Sequence, residues 1–207
     1  IAKAATDFRE WKILGDYKDE VVAAAEKHLA SVEGDEAKVM ELGLVLEALA
    51  GENKGHGSPL VPFGKLLEQV VVLDPENKHG LLVKYLGDLY QATQVDKDEE
   101  AGKKYASMIR ELDPKNEHGQ FETLVLGELG VLFNEKKFGE AADKVEAFLG
   151  EMKPKSKGDV LYWAAGVSRL QSGDQEKGKN HLKKLVELYP DSSFVPRARQ
   201  IIARFGG

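Results

Sequence analysis

The stretch DPENKHG at residues 74–80 returns almost unchanged as DPKNEHG at residues 113–119, and this duplication is the strongest indication of the fold. Two more prolines follow at Pro154 and Pro190, so that successive proline turns lie 39, 40 and 36 residues apart. Proline cannot continue a helix because it lacks the amide hydrogen and clashes with the preceding turn. The spacing therefore predicts that each turn ends one unit of an internal repeat.

A second marker recurs with the same period: a mid-helix glycine that follows an apolar residue. The four pairs are Leu42-Gly43, Leu86-Gly87, Leu129-Gly130 and Ala165-Gly166. Glycine inside a helix costs about 1 kcal/mol relative to alanine, so it persists where a neighbouring helix must approach closely. We expect all four glycines to lie at contacts between helices.

Between the turns, apolar residues recur at three- and four-residue spacing, as at Leu182, Leu185, Val186 and Tyr189. This spacing places them on one face of a helix, and the segments between breakers accommodate about eleven helices. Strict alternation, which would indicate strands, is scarce. Two-helix units repeated at this period predict an all-α solenoid.

The ends of several helices are also predicted. Asn77 and Asn116 are candidate N-caps, because an asparagine side chain accepts hydrogen bonds from first-turn amides. Ser193 is the candidate cap of the last helix, which leaves Pro196 in the first turn, where its missing amide hydrogen is not needed. The glycine-rich residues 51–59 are predicted to form a loop between helices, since they lack the spacing of a phosphate-binding loop.

Composition and charge exclude several classes of protein. The 207 residues include 29 basic and 35 acidic side chains, a net charge of −6, 42% hydrophobic residues and no cysteine. Wholesale disorder and disulfide or thiolate chemistry are therefore excluded, and no apolar run approaches the ~18–20 residues that span a bilayer. The negative charge argues against a nucleic-acid partner, and the basic residues of 173–207 are interpreted as a solvated helix face.

No catalytic residue, metal ligand or cofactor is predicted. His79 and His118 occupy equivalent positions of two repeats, and helices packed ~8–10 Å apart would hold them roughly 15–20 Å from each other. Zinc requires ligand nitrogens about 2 Å away. Acidic pairs such as Glu99-Glu100 are favourable at the start of a helix, and none has a His or Ser at a spacing that indicates a catalytic site. We therefore predict that the protein is not an enzyme.

The repeats resemble those of the tetratricopeptide repeat (TPR) family. In the unit at 159–192, the matching positions are Tyr162, Ala165-Gly166, Gly173-Asp174, Leu182 and Pro190. Arg169 and Gly178 depart from the pattern, where the family usually has an aromatic residue and an alanine. Units at 36–75, 80–114 and 123–154 match at fewer positions.

The resemblance implies a right-handed superhelix of helical hairpins in a single domain over residues 1–207. Its parts are an N-terminal hairpin at 1–35, four repeats over 36–192 and a C-terminal capping helix at 193–207. The first helices of successive repeats then line a concave face that takes a protein or peptide segment.

The concave-face positions implied by the resemblance are Met40, Leu44, Glu47, Lys84, Asp88, Gln91, Val131, Asn134, Glu135, Trp163, Val167 and Gln171. Trp163 is the strongest candidate, since tryptophan is enriched at binding hot spots. Packing of this residue against the helix predicted at 193–205 would explain it equally well. Where some family members grip a C-terminal carboxylate with a Lys and an Asn, this chain has Lys84 and Asp88, which disfavours an acidic peptide tail.

A further likeness concerns the segment LVELYPDSS at 185–193 with Ala198, which is similar to repeats of bacterial envelope proteins that assist outer-membrane assembly or the Tol-Pal system. It favours a periplasmic location. The chain begins at Ile1 without Met, so we expect either a removed leader or a longer gene product.

The predicted function is a non-enzymatic protein-binding scaffold. One alternative is an accessory helical domain of a larger envelope or enzyme assembly. The other is a small-molecule binder or hydrolase, which would require a deep pocket holding converging carboxylates or histidines.

Overall fold

The protein is all-helical throughout the part that a computed structural model describes, residues 18–50 and 60–205. These residues form ten α-helices and no strand. The helices are α1 Lys18–Ala30, α2 Asp35–Ala50, α3 Gly64–Leu73, α4 Leu81–Asp96, α5 Glu99–Leu112, α6 Gln120–Asn134, α7 Phe138–Glu151, α8 Gly158–Gln171, α9 Gln175–Leu188 and α10 Val195–Arg204. A 3-10 turn, Val61–Phe63, precedes α3. The predicted all-α fold is confirmed, whereas the first helix of the predicted hairpin at 1–35 and the loop 51–59 lie outside the described residues.

The helices fall into two compact units, Ile1–Leu112 and Asp113–Gly207. In the first unit α3 packs against α1, α2 and α4, and α4 packs against α5. In the second unit each helix from α6 to α10 packs against the next helix in the sequence. Each helix thus buries its apolar face mainly on its neighbours in the chain. The assignment of residues 1–207 to a single solenoid domain stays a prediction.

Each unit has an apolar core made mainly of aliphatic side chains. In the first unit, side chains with no exposed surface include Leu42, Leu46, Leu66, Leu82 and Leu86. In the second unit they include Ala141, Val145, Leu161, Leu182 and Leu185. These are the positions at three- and four-residue spacing, so the period that predicts the helices also predicts their buried faces.

The repeated turn holds the following helix through its aspartate. Asp74 and Asp113 are almost fully buried, at 2% and 1% exposure. The Asp74 carboxylate accepts a hydrogen bond from the amide of Leu81 at 3.0 Å, and the Asp113 carboxylate accepts one from the amide of Gln120 at 2.9 Å. Amides in the first turn of a helix have no intrahelical acceptor. The Asp-Pro pair therefore ends one helix and also caps the next.

Asn77 and Asn116 also bond to the first turns of α4 and α6, but neither residue is at the N-cap position predicted for it. Both have left-handed backbone, with φ of 53° and 56°, and in each case a glycine three residues later is the N-cap residue. Their side-chain oxygens still accept hydrogen bonds from first-turn amides, those of Val83 at 2.9 Å and Glu122 at 3.3 Å. The N-cap assignment is wrong, because asparagine tolerates the left-handed turn and reaches the helix from farther back.

The start of α10 also differs from its prediction by one residue. The N-cap is Phe194, whose amide donates to the hydroxyl of Ser192 at 3.3 Å, and that hydroxyl donates to Asp159 at 2.6 Å. The assignment of Ser193 as the cap is therefore wrong, since Ser192 is the serine that the carboxylate of Asp159 holds. Pro196 lies in the first turn, as predicted.

Two of the four marked glycines lie where a neighbouring helix approaches closely. A β-carbon at Gly43 would meet Leu81 at 3.3 Å, and one at Gly166 would meet Leu182 at 2.7 Å. Gly87 is buried within α4. Gly130 is exposed and has no atom of the described residues within 4 Å of such a β-carbon, so the prediction is wrong at this position.

Candidate functional site

The exposed face of α2 carries two large apolar side chains. Met40 and Leu44 are one helical turn apart and are 65% and 53% exposed, and Glu47 follows three residues later. Spacings of four and three residues place all three on one side of the helix. The α2 candidates named from the sequence therefore form a continuous strip on the surface of the first unit.

Helix α4 adds a polar strip beside them. Lys84, Asp88 and Gln91 repeat the four- and three-residue spacing, and Lys84 Nζ lies 2.5 Å from Glu47 Oε1. The hydrogen bond that the Lys84 ammonium donates to Glu47 is the main cause that raises the pKa of Lys84. We call the six residues Met40, Leu44, Glu47, Lys84, Asp88 and Gln91 the α2–α4 face.

Close packing of the backbones positions this face. Gly43 lies between Met40 and Leu44 in the sequence, and a β-carbon there would be 3.3 Å from Leu81 at the start of α4. The Lys84 ammonium is also 5.4 Å from the ring centroid of Tyr85, a distance at which a cation is attracted to an aromatic ring. The ion pair itself is half exposed on both sides, so it orients Lys84 and contributes little stability.

The candidates of the second unit lie on α6 and α8. Asn134 and Gln171 are exposed at the last residues of α6 and α8. Trp163 is half-buried, with the Phe194 ring stacked on it at 5.2 Å between centroids and 14° between planes. The Arg197 guanidinium lies 5.5 Å from the indole centroid. The alternative of Trp163 packing against the C-terminal helix is thus the observed contact.

A charged cluster in the second unit was not anticipated. Arg169, with 11% of its side chain exposed, donates to Glu146 through Nε at 2.7 Å and to Asp143 through Nη2 at 2.5 Å. His181 Nε2 is 2.8 Å from the same Glu146 carboxylate. The hydrogen bond from Arg169 is the main cause that lowers the pKa of Glu146 to about 2. The only sequence signal for this cluster is the arginine at a position where the family usually has an aromatic residue.

Glu122 is a second unanticipated group, and its role is structural. The side chain is fully buried and accepts hydrogen bonds from Asn116 Nδ2 at 2.9 Å, from the Ser156 amide at 3.1 Å and from the Lys157 amide at 2.6 Å. The Lys155 amide is a fourth donor. A buried carboxylate with four donors is fully satisfied, so it fixes the 153–157 turn onto α6 and leaves no acceptor for a substrate.

The described residues include both histidines that the sequence repeats, His79 and His118. They contain no group of three or more His, Cys, Asp or Glu side chains arranged to hold a metal ion. His79 and His118, the repeated histidines, donate their backbone amides to Asp74 and Asp113 in the turn. Within residues 18–50 and 60–205, no helix has the length and hydropathy to cross a membrane.

Comparison with known proteins identifies no relative: no family model, no curated protein and no solved structure matches the chain. The resemblance to the TPR family therefore stays a prediction from the quoted residues.

Proposed function

We propose that this chain is a non-enzymatic binding module, a right-handed solenoid of TPR-like helical hairpins that takes a peptide or protein segment on its concave surface. The α2–α4 face is the proposed contact region in the first unit. The observation that carries the proposal is the exposure of Met40 and Leu44 side by side, at 65% and 53%.

Burial of these two side chains against a partner is the source of affinity. Each apolar side chain that leaves water on binding contributes about 1.5–3 kcal/mol, and adjacent ones form an anchor rather than scattered exposed residues. The neighbouring Glu47–Lys84 pair offers one acceptor and one donor, so it can orient a segment through hydrogen bonds. The expected ligand is a segment with two apolar residues next to polar ones.

The charge of the face restricts the choice of segment. Asp88 lies one turn after Lys84, and Glu47 already holds the Lys84 ammonium. An acidic tail would have to compete with Glu47 for that cation and would face the like charge of Asp88. We therefore expect neutral or basic segments with apolar anchors to be preferred.

Selection from a random peptide library displayed on phage, followed by calorimetry with the selected peptides, tests this function. The variant Met40→Ser with Leu44→Ser should weaken binding by at least about tenfold, since about 1.4 kcal/mol corresponds to that factor. Val72→Ser is the matched control, because Val72 is 69% exposed on α3 of the same unit and is not part of the face. Equal affinities of the double serine variant and the unsubstituted chain would contradict the proposal.

A further inference from the structure

A cleft of about 540 Å³ lies within the first unit, between α1, the 3-10 turn, α3, α4 and α5. Its apolar wall includes Val22, Leu89 and Ala92, which are 8%, 1% and 5% exposed. The volume falls in the range of about 300–1,000 Å³ that is usual for small-ligand sites. None of the six residues of the α2–α4 face is among the described residues that line this cleft, so the two are distinct candidate sites.

The rim of this cleft is strongly acidic. Asp19, Glu68, Asp96 and Asp98 line it, and Lys65 is the single basic residue among the described residues of the lining. None of these five side chains forms a salt bridge within the described part of the chain. Asp98 accepts one hydrogen bond, from the amide of Ala101 at 3.0 Å at the start of α5. Four carboxylates and one ammonium group therefore line the cleft, and no salt bridge between residues of 18–50 and 60–205 neutralises any of the four.

Tyr105 is an independent indication of a ligand. The residue is only 5% exposed and lines the cleft, yet its hydroxyl makes no hydrogen bond with any described residue. Burial is the main cause that raises the pKa of Tyr105, and the charges of Glu68 and Asp98 raise it further. The side chain is buried, whereas the hydroxyl oxygen keeps accessible surface at the cleft and pairs with no described residue, so a ligand in the cleft can reach it.

We propose that this cleft binds an aliphatic organic cation, a primary ammonium or guanidinium group on a short alkyl stem. The apolar wall accommodates the stem, Glu68 and its neighbours pair with the charge, and the Tyr105 hydroxyl accepts a hydrogen bond from the cation. A metal ion fits less well, because the described carboxylates do not converge into a set of three ligands. The cation belongs either to a free amine or to a lysine or arginine side chain of a peptide.

Calorimetric titration of the full chain tests the site with two cationic probes. They are 1,5-diaminopentane and a blocked Ala-Lys-Ala peptide, with 1-pentanol as the uncharged probe of the same length. Saturable binding of either cationic probe and none of 1-pentanol supports the site. Tighter binding of the diamine would assign it to free amines, and tighter binding of the peptide would assign it to a lysine side chain.

Two conservative variants locate the binding. Glu68→Gln should weaken the affinity of the cationic probe by about five- to tenfold, and Tyr105→Phe, which removes only the hydroxyl, by about threefold. Glu111→Gln is the matched control, because Glu111 is an exposed carboxylate on α5 that does not line the cleft. Unchanged melting temperatures establish that the variants fold.

The proposal is overturned if neither cationic probe binds saturably up to about 10 mM. It is also overturned if Glu68→Gln binds as tightly as Glu111→Gln, or if 1-pentanol binds as well as the diamine. The double serine variant of Met40 and Leu44 should retain amine binding. Failure of this site and failure of the proposed peptide-binding function are therefore distinguishable.

Discussion

Glu122 joins α6 to the turn that follows α7 in the second unit. Its carboxylate is completely buried and receives hydrogen bonds from Asn116 and from three consecutive backbone amides of the turn that follows α7. In Glu122→Gln, an NH₂ group replaces one carboxylate oxygen, so a hydrogen-bond donor would face the backbone amides that now donate to that oxygen. In a buried position such a change costs more than the lost hydrogen bonds, because the turn amides are left without an acceptor.

We predict that Glu122→Gln lowers the free energy of unfolding of the second unit by about 2–4 kcal/mol. The chain has two tryptophans, Trp11 and Trp163, so a Trp11→Phe background leaves Trp163 as a fluorescence probe of this unit in urea titrations. Glu117→Gln, an exposed carboxylate nearby, is the matched control. A loss no larger than that of the control would show that the four donors find other acceptors.

The carboxylate of Glu146 makes the stability of the second unit depend on pH. Its pKa is lowered from 4.5 to about 2, chiefly by the hydrogen bond from Arg169, so the unfolded chain binds the proton more readily than the folded one. The resulting stabilisation is present above about pH 5 and is lost as the pH falls towards 2. A shift of this size corresponds to about 3 kcal/mol.

We predict that Glu146→Gln flattens the fall in stability between about pH 5 and pH 2 that the unsubstituted chain shows. Urea midpoints followed by Trp163 fluorescence at several pH values measure this fall. Glu128→Gln removes another partly buried, ion-paired carboxylate and serves as the control, which should keep the pH dependence. An equal slope in the Glu146→Gln and unsubstituted chains would exclude Glu146 as the cause.

At the scale of elements, the contact between α8 and α9 depends on two glycines. A β-carbon at Gly166 would be 2.7 Å from Leu182 and 3.2 Å from the carbonyl oxygen of Gly178, and one at Gly178 would be 2.7 Å from Leu170. The helices therefore approach as closely as their backbones allow. Gly130 has no such neighbour in the described part of the chain, so the absence of a side chain brings no packing advantage there.

Substitution by alanine at Gly166 and at Gly130 is expected to change the stability of the second unit in opposite directions. Gly166→Ala should destabilise the second unit by about 1–3 kcal/mol, because Leu182 is fully buried and cannot move away freely. Gly130→Ala should stabilise it by about 0.5–1 kcal/mol, because alanine favours the helix and meets nothing. Thermal unfolding of both variants measures the difference. Destabilisation by Gly130→Ala would mean that an unseen neighbour lies against α6.

The helices and their breakers could be predicted from sequence because both are local properties. The contact partners of particular side chains could not be predicted from the sequence. Arg169 and Gly178 stood out only as departures from a repeat pattern, since Glu146 lies 23 residues from Arg169 and only packing brings them together. In the same way, the two asparagines were correctly expected to satisfy helix amides, but the left-handed turn that lets them do so was not visible in the sequence.

At the scale of the whole molecule, α10 covers the apolar end of the second unit. Ala198 is buried against Leu182 and Leu185, and Phe194 covers Trp163. Removal of this helix would expose a cluster of aliphatic and aromatic side chains together, and exposed patches of this kind promote association.

We predict that deletion of residues 193–207 lowers the melting temperature and causes association, measured by size-exclusion chromatography and by binding of a hydrophobic dye. Arg197→Ala is the corresponding mild control, because it removes the cation beside Trp163 and leaves the apolar cover in place. A truncated chain that stays monomeric with unchanged melting would contradict a covering role for α10.

The amino-acid sequence by itself determined that this protein is built of helices, where most of them break and which of their faces are buried, because proline, glycine and apolar spacing act within one or two helical turns. Tertiary structure alone decided that Glu47 meets Lys84, that Phe194 covers Trp163 and that four carboxylates surround the cleft at Tyr105. These arrangements join residues far apart in the chain, so they depend on how the helices pack.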